Sequence, residues 1–221
     1  MKSVPFVCLF LLTTVVFAQD KKVYTTTSGE LIFSFADITS NGSDQSSVLR
    51  FSPVFNIQNW VNIDQSENFG LFTGLSVRNI GLIYKEPTNS NVKIKARTYN
   101  LGIPVGVKIG NLSDKFIFLG YELEFPIHYK EKIFINDEKE DKATIWFSDR
   151  VPALNHSLMA GIQLPYGATL KFKYYLTPFF KEGYQPSDDL GVVYSAVDAN
   201  VFYFSLNFGL LKDTGFYYND K

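Results

Sequence analysis

Two carboxylates, Glu122 and Glu124, stand two residues apart in a stretch where the alternate positions are Ile117, Leu119, Tyr121, Leu123, Phe125 and Ile127. Paired carboxylates can do general acid-base work, as in glycoside hydrolysis, if a sugar can reach between them. Cations recur in the same setting: Arg78, and then Lys171 and Lys173 among Leu170, Phe172 and Tyr174. Opposite charges on like-facing positions imply an ion-paired network, because an unpaired buried charge is very costly. The two histidines, His128 and His156, have Ser157 and Asp149 nearby in sequence, which raises the chemistry of a base activating a hydroxyl. Alternation sets His128 inward and His156 outward, so the two do not converge. No phosphate-cradling glycine loop, zinc spacing or calcium loop is present. The expectation is a chain that is not an enzyme and holds no metal and no cofactor.

The elements that must hold these residues are extended strands. Apolar residues recur with a period of two, the pattern of chain whose successive side chains leave on opposite sides. In Val201 to Leu210, Phe202, Phe204, Leu206, Phe208 and Leu210 share one face, and Tyr203, Ser205, Asn207 and Gly209 the other. Seven earlier stretches repeat it: Glu30 to Asp37, Val48 to Val61, Phe69 to Tyr84, Ile94 to Ile109, Lys115 to Tyr129, Ala153 to Leu164 and Ala168 to Thr177. In the third, the alternation slips near Asn79, as at a bulge.

Connections after odd strands are long and polar, near 38–47, 85–93, 130–152 and 178–198; those after even strands are short, at 62–68, 110–114 and Pro165-Tyr166-Gly167. Sorting of loop length by parity is the signature of a membrane barrel with long outer loops and short inner turns. The predicted fold is therefore all-β, an eight-stranded antiparallel up-and-down transmembrane β-barrel. Trp60, Phe69, Tyr84, Tyr129, Phe179 and Phe180 lie near predicted strand ends, where aromatic rings favour the two membrane interfaces.

The chain ends frame this reading. Lys2 followed by the apolar run Val4 to Phe17 reads as an export signal cut after Ala18. The predicted organisation is a signal at 1–18, an N-terminal segment at 19–29, the barrel at 30–211 and a tail at 212–221. That tail either hangs free or continues the sheet through Phe216-Tyr217-Tyr218 after a kink at Gly215. Cys8, the single cysteine, lies inside the signal, so the exported chain has no disulfide. A net charge of −1 with no long basic run argues against nucleic acid as a partner.

The stretch Tyr99-Asn100-Leu101-Gly102-Ile103-Pro104-Val105-Gly106-Val107-Lys108 resembles the Tyr-x-x-x-Ile-Pro segment of the PorT-like outer-membrane β-barrel family of Gram-negative bacteria. An alternating Phe116 to Phe125 strand follows it, and an amphipathic strand lies near the carboxyl end, as in that family's layout. The resemblance implies an outer-membrane barrel and no defined activity.

An eight-stranded barrel has an interior that side chains fill. Arg78, Glu122, Glu124, Lys171 and Lys173 are therefore expected to form a charge network in the lumen rather than line a pore. The leading expectation is a small monomeric outer-membrane protein with a structural or surface-interaction role, its partners being membrane lipid and a surface partner at loops 130–152 and 178–198. Two other classes stand beside it. One is a narrow or gated transport barrel for small or apolar solutes. The other is a soluble periplasmic ligand-binding barrel with the faces reversed, so that Phe202, Phe204, Leu206 and Phe208 line a cavity.

Overall fold

The computed structural model describes residues 22–40, 43–45, 47–86, 89–181 and 197–217. The export signal and its cut after Ala18 lie outside the described residues, as does most of the last outer connection. The strands are β1 (Lys22–Ser40), β2 (Ser43–Gln45), β3 (Ser47–Val48), β4 (Arg50–Ser52), β5 (Ile57–Asp64), β6 (Phe69–Glu86), β7 (Asn89–Asn111), β8 (Lys115–Ile135), β9 (Glu138–Trp146), β10 (Asn155–Gln163), β11 (Thr169–Tyr175) and β12 (Val197–Tyr217).

Eight of them close a ring in the order β1, β5, β6, β7, β8, β10, β11, β12, and β12 returns to β1. Every pairing is antiparallel. Closure removes the unpaired edges that an open sheet would expose. The alternating apolar set lies on the outside: Val105, Leu119, Leu158 and Phe204 are about half exposed, while Lys171 and Lys173 on the other face are fully buried. Phe51, Phe33, Phe204 and Phe172 form a continuous aromatic band across four strands, with ring centroids 5.0 Å apart for Phe33–Phe51 and for Phe172–Phe204. The reversed arrangement, with these phenylalanines around a cavity, is not the one found.

The strands run well past the expected ends. β6 continues to Glu86 and β7 begins at Asn89, so the connection expected at 85–93 is a hairpin. The region 130–152 is likewise mostly sheet: β8 runs to Ile135, turns at Asn136 and Asp137, and returns as β9. Both turn residues have positive φ, 52° and 66°, the geometry of a two-residue hairpin whose twist matches its strands. At the other end β1 starts at Lys22 rather than Glu30, and β12 pairs with it as far as Tyr217 opposite Lys22. The chain after Leu211 thus continues the sheet to that point.

The expected second strand, Val48 to Val61, is broken. β4 and β5 both pair with β1, but Pro53 to Asn56 leave the ladder between them, with Phe55 at φ 60°. Side chains close the resulting seam against β6. Asn79 Oδ1 accepts a hydrogen bond from Arg50 Nη2, its carbonyl accepts from Arg50 Nη1 (3.2 Å) and Ser52 Oγ (3.2 Å), and its amide donates to Asn56 Oδ1 (2.8 Å). This bonding buries Asn79 and accounts for the lost alternation there; β6 and β7 keep register through it.

The bulge lies instead in β8. Tyr99 pairs with His128 and Asn100 with Pro126, so Ile127 is an extra residue. Pro126 has no N–H to give a ladder, and proline within a sheet is confined to edges and bulges. Below the bulge Glu122 and Glu124 face the lumen; above it Tyr129, Glu131 and Ile133 do, and His128 turns outward.

The interior has three tiers. Nearest the short turns, Trp60, Phe72, Phe118 and Met159 pack together, with Trp60 and Phe72 stacked at 4.2 Å. A charged tier occupies the middle. Above it an apolar core of Ile32, Ile38, Leu82, Ile94, Tyr129 and Ile133, with others, is capped by Phe179 and Phe180. Of the aromatics expected at the interfaces, only Phe69 faces outward; Trp60, Tyr84, Tyr129, Phe179 and Phe180 are buried inside. Their parity and the length of the strands, not their position along the sequence, decides this.

Candidate functional site

The middle tier is built by four strands, β1, β6, β8 and β11, that aim charged side chains inward. Arg78 of β6 places Nε 3.1 Å from Glu30 Oε2 of β1, and its Nη1 meets Glu122 of β8. Lys171 Nζ of β11 lies 2.9 Å from Glu30 Oε1; Lys173 Nζ lies 2.6 Å from Glu122 Oε2 and also meets Glu124. All six side chains have no exposed surface. Three carboxylates against three cations make the tier neutral.

Neutral groups complete the shell. Ser205 donates to Glu30 at 2.5 Å, Tyr175 donates to Glu124 at 2.9 Å, and Asn100 donates to Glu124 at 2.7 Å. Gln58 Oε1 accepts from Arg78 at 2.9 Å and from Lys171 at 3.1 Å. A buried ion pair tolerates loss of water only when its remaining donors and acceptors are also satisfied, and here they largely are.

All five charges expected in the lumen, Arg78, Glu122, Glu124, Lys171 and Lys173, meet in this tier. Glu30 is a sixth member, beyond the five expected from the sequence. It opened the expected first strand and shares parity with Ile32 and Ser34, so the same alternation could have found it. A second pair lies lower: Lys108 Nζ is 2.6 Å from Asp64 Oδ1 and 3.0 Å from the Tyr24 hydroxyl. Asp64 falls within the turn expected at 62–68, whereas β5 carries it into the sheet.

This geometry leaves little room for catalysis. Glu122 and Glu124 are close, but their oxygens are held by Lys173, Arg78, Tyr175 and Asn100 and no surface reaches them. The histidines remain apart: His128 packs on Trp146 at 4.4 Å, while His156 Nδ1 bonds the Tyr121 hydroxyl. Among the described residues no group of acidic, histidine or cysteine side chains has the makings of a metal site. A polar cleft of about 250 Å³ opens at the short-turn end, lined by Tyr24, Gln58, Trp60, Asn62 and Thr169 among others, and the stacked Trp60, Phe72 and Phe118 lie in the tier at its inner end.

No protein-family model matches the chain, and no curated protein matches it. Among solved structures it is similar to the attachment invasion locus protein Ail of Yersinia pestis, at 8% identity and a TM-score of 0.38, over 87% of this chain and 100% of that one. It is also similar to Neisserial surface protein A, at 8% identity and a TM-score of 0.40, over 83% of this chain and 97% of the other. A third likeness is to outer membrane protein OprG of Pseudomonas aeruginosa, at 14% identity and a TM-score of 0.35, over 88% and 97% of the two chains.

Proposed function

We propose that the chain is a small, non-enzymatic, monomeric protein of the Gram-negative outer membrane, exported with cleavage after Ala18 and of the PorT-like kind that Tyr99 to Lys108 resembles. Its barrel is an anchor with a sealed interior, and its tall outer sheet is the working surface. The observation that carries this reading is the opposition of the two faces: a closed ring with an apolar outside and a neutral, ion-paired, fully buried centre. Only a closed sheet or a helix satisfies its backbone within lipid, and a side-chain-filled lumen of this size conducts nothing.

Two measurements test it. Protein from carbonate-washed membranes should migrate faster on a detergent gel before boiling than after. Reconstituted in a planar bilayer, it should give no steady conductance. Release by carbonate would overturn the membrane anchor, and stable single-channel steps would overturn the sealed interior and favour transport.

A further inference from the structure

Above the apolar belt the outward face of β6, β7, β8 and β9 is cationic. Val92, Ile94 and Ala96 point into the upper core, so Lys93, Lys95 and Arg97 point out. β8 does the same: Tyr129, Glu131 and Ile133 are inside, which leaves Lys130 and Lys132 outside. The register sets like charges directly opposite one another, Lys85 with Lys93, Lys95 with Lys132, Arg97 with Lys130, and Lys132 with Lys142. Directly opposed like charges destabilise a sheet, so this arrangement is held against a cost.

Little in the chain relieves it. Asp137 pairs with Lys93 at 2.5 Å; on β9, Asp141 and Glu138 stand opposite the inward-parity Ile133 and Ile135, and Glu140 lies at the register shift between them, while Lys85, Lys95, Arg97, Lys130, Lys132 and Lys142 have no ion pair among the described residues. The mixed run Lys130-Glu131-Lys132 is split by parity, its acid turned inward to Arg150 at 3.2 Å and its bases turned out. At the same height on the β12–β1–β2 side, by contrast, the exposed charges among the described residues are Asp37, Asp44 and Asp198. The outer sheet is therefore polarised, not uniformly charged for solubility.

The lower rim of the patch is aromatic. Arg97 and Lys130 lie over the Tyr99 ring at 5.6 and 5.4 Å, Phe55 packs edge-on to it at 5.8 Å, and Trp146 lies beside His128. Below Tyr99 the outward residues are Leu101, Ile103 and Val105. Aromatic rings of this kind mark a membrane interface. With strands tilted about 40°, each two-residue step rises roughly 5 Å along the membrane normal. Arg97 and Lys130 then stand about 5 Å above Tyr99, and Lys95 and Lys132 about 10 Å, the depth of a headgroup layer.

We infer that this patch binds the phosphate groups of anionic lipids in the leaflet around the barrel. The inference rests on the membrane reading given above. Aromatic continuity with the belt favours lipid over a soluble polyanion, because the first two rows of cations lie where headgroups lie.

Trp146 reports on it directly, being exposed at the rim, whereas Trp60 is buried in the lumen. The protein would be reconstituted in bilayers containing brominated phosphatidylglycerol or brominated phosphatidylcholine, and quenching of its tryptophan fluorescence compared. The expected result is at least about fivefold preference for the anionic lipid at low salt, reduced by added salt. Combined substitution K95Q/R97Q/K130Q/K132Q should bring the preference to one, and K115Q, at a short turn on the opposite end, should leave it intact. A gel shift on boiling would confirm that each variant is folded, and R97Q/K130Q replaces the fourfold variant if that one fails. Equal quenching by the two lipids, or a preference that survives in the folded variant, overturns the inference. So does binding of soluble heparin at the patch in zwitterionic bilayers without any lipid preference. Absence of quenching by either lipid would instead mean that the membrane reading has failed.

Discussion

Arg78 and Glu30 meet at 3.1 Å across the barrel although β4 and β5 separate their strands in the wall, so this ion pair ties together parts of the ring that share no backbone ladder. Removing the guanidinium would leave Glu30 and Glu122 buried with one cation too few. Arg78→Met is expected to cost about 3–5 kcal/mol, the usual penalty for an orphaned buried charge. Urea unfolding in lipid vesicles, followed by tryptophan emission, measures it. Arg78→Met combined with Glu30→Gln restores neutrality and should recover part of the loss; a single variant as stable as wild type would show that the tier is not a coupled network.

The outward set makes a separate demand. Ile103 lies in the middle of the belt on β7, two steps below the Tyr99 rim. Ile103→Arg should destabilise the folded barrel by about 2–4 kcal/mol in vesicles, as a cation at the bilayer midplane does. Ile57→Arg, at the head of β5, belongs to the same test and should be similarly costly. A small effect at both sites would indicate that this face meets water.

The seam between β4 and β6 rests on side chains. Arg50→Ala deletes both guanidinium bonds to Asn79 and leaves its buried carbonyl and amide oxygen short of donors. A loss of about 1–3 kcal/mol is expected. Hydrogen exchange should rise at Asn79 to Leu82 and remain unchanged at Gly102 to Val107 on the far side of β6. Uniform exchange across both would show that the seam has no separate opening.

Much of this was legible in the sequence, and the failures have a common cause. A period of two gives faces without giving ends. Where Val92-Lys93-Ile94-Lys95-Ala96-Arg97 alternates, the apolar set has moved from the outside to the inside, because the strand has passed above the apolar belt and now covers a core of its own. Read as polarity, that segment is a loop; read as alternation, it is strand. Polarity likewise makes Lys130 to Pro152 look like a loop, and position along the sequence makes the buried Tyr84 and Tyr129 look interfacial. Glu30 was missed because it stood at an expected strand edge, and Asp64 because it stood in an expected turn. His128 was misplaced by a single uncounted residue, although Pro126 marked the spot.

Asp137, at the β8–β9 turn above the apolar belt, provides a pH test. The hydrogen bond and charge of Lys93, with Lys85 and Lys95 nearby, hold its carboxyl below the usual carboxylate range. A group lowered on folding adds stability above its unfolded midpoint, and that contribution disappears as pH falls through the folded one. The Lys93 contact should therefore persist at neutral pH and be lost as the pH falls below the ordinary carboxylate range. Titration of the Asp137 carboxyl by NMR should show a midpoint that returns toward the ordinary value in Lys93→Gln; an unchanged midpoint would assign the shift to another group.

Ile127 is the one residue by which β8 exceeds β7 at the bulge. Tyr99 faces His128 and Asn100 faces Pro126, so deleting Ile127 leaves both pairs opposed and every face above them unchanged: Lys130 and Lys132 stay outside, and Tyr129, Glu131 and Ile133 inside. That deletion should fold and give the fast-migrating form on an unboiled gel. Deleting Ile127 and His128 together leaves no spare residue. Tyr129 would then face Tyr99, and Lys130 and Lys132 would turn inward into the apolar upper core without a partner, while Glu131 turned away from Arg150. A one-residue slip moves an entire strand face, so the double deletion is expected to lose the fold. Failure of the single deletion would show that Pro126, which has no N–H for a regular ladder, requires the bulge; a folded double deletion would show that this register does not set the upper faces.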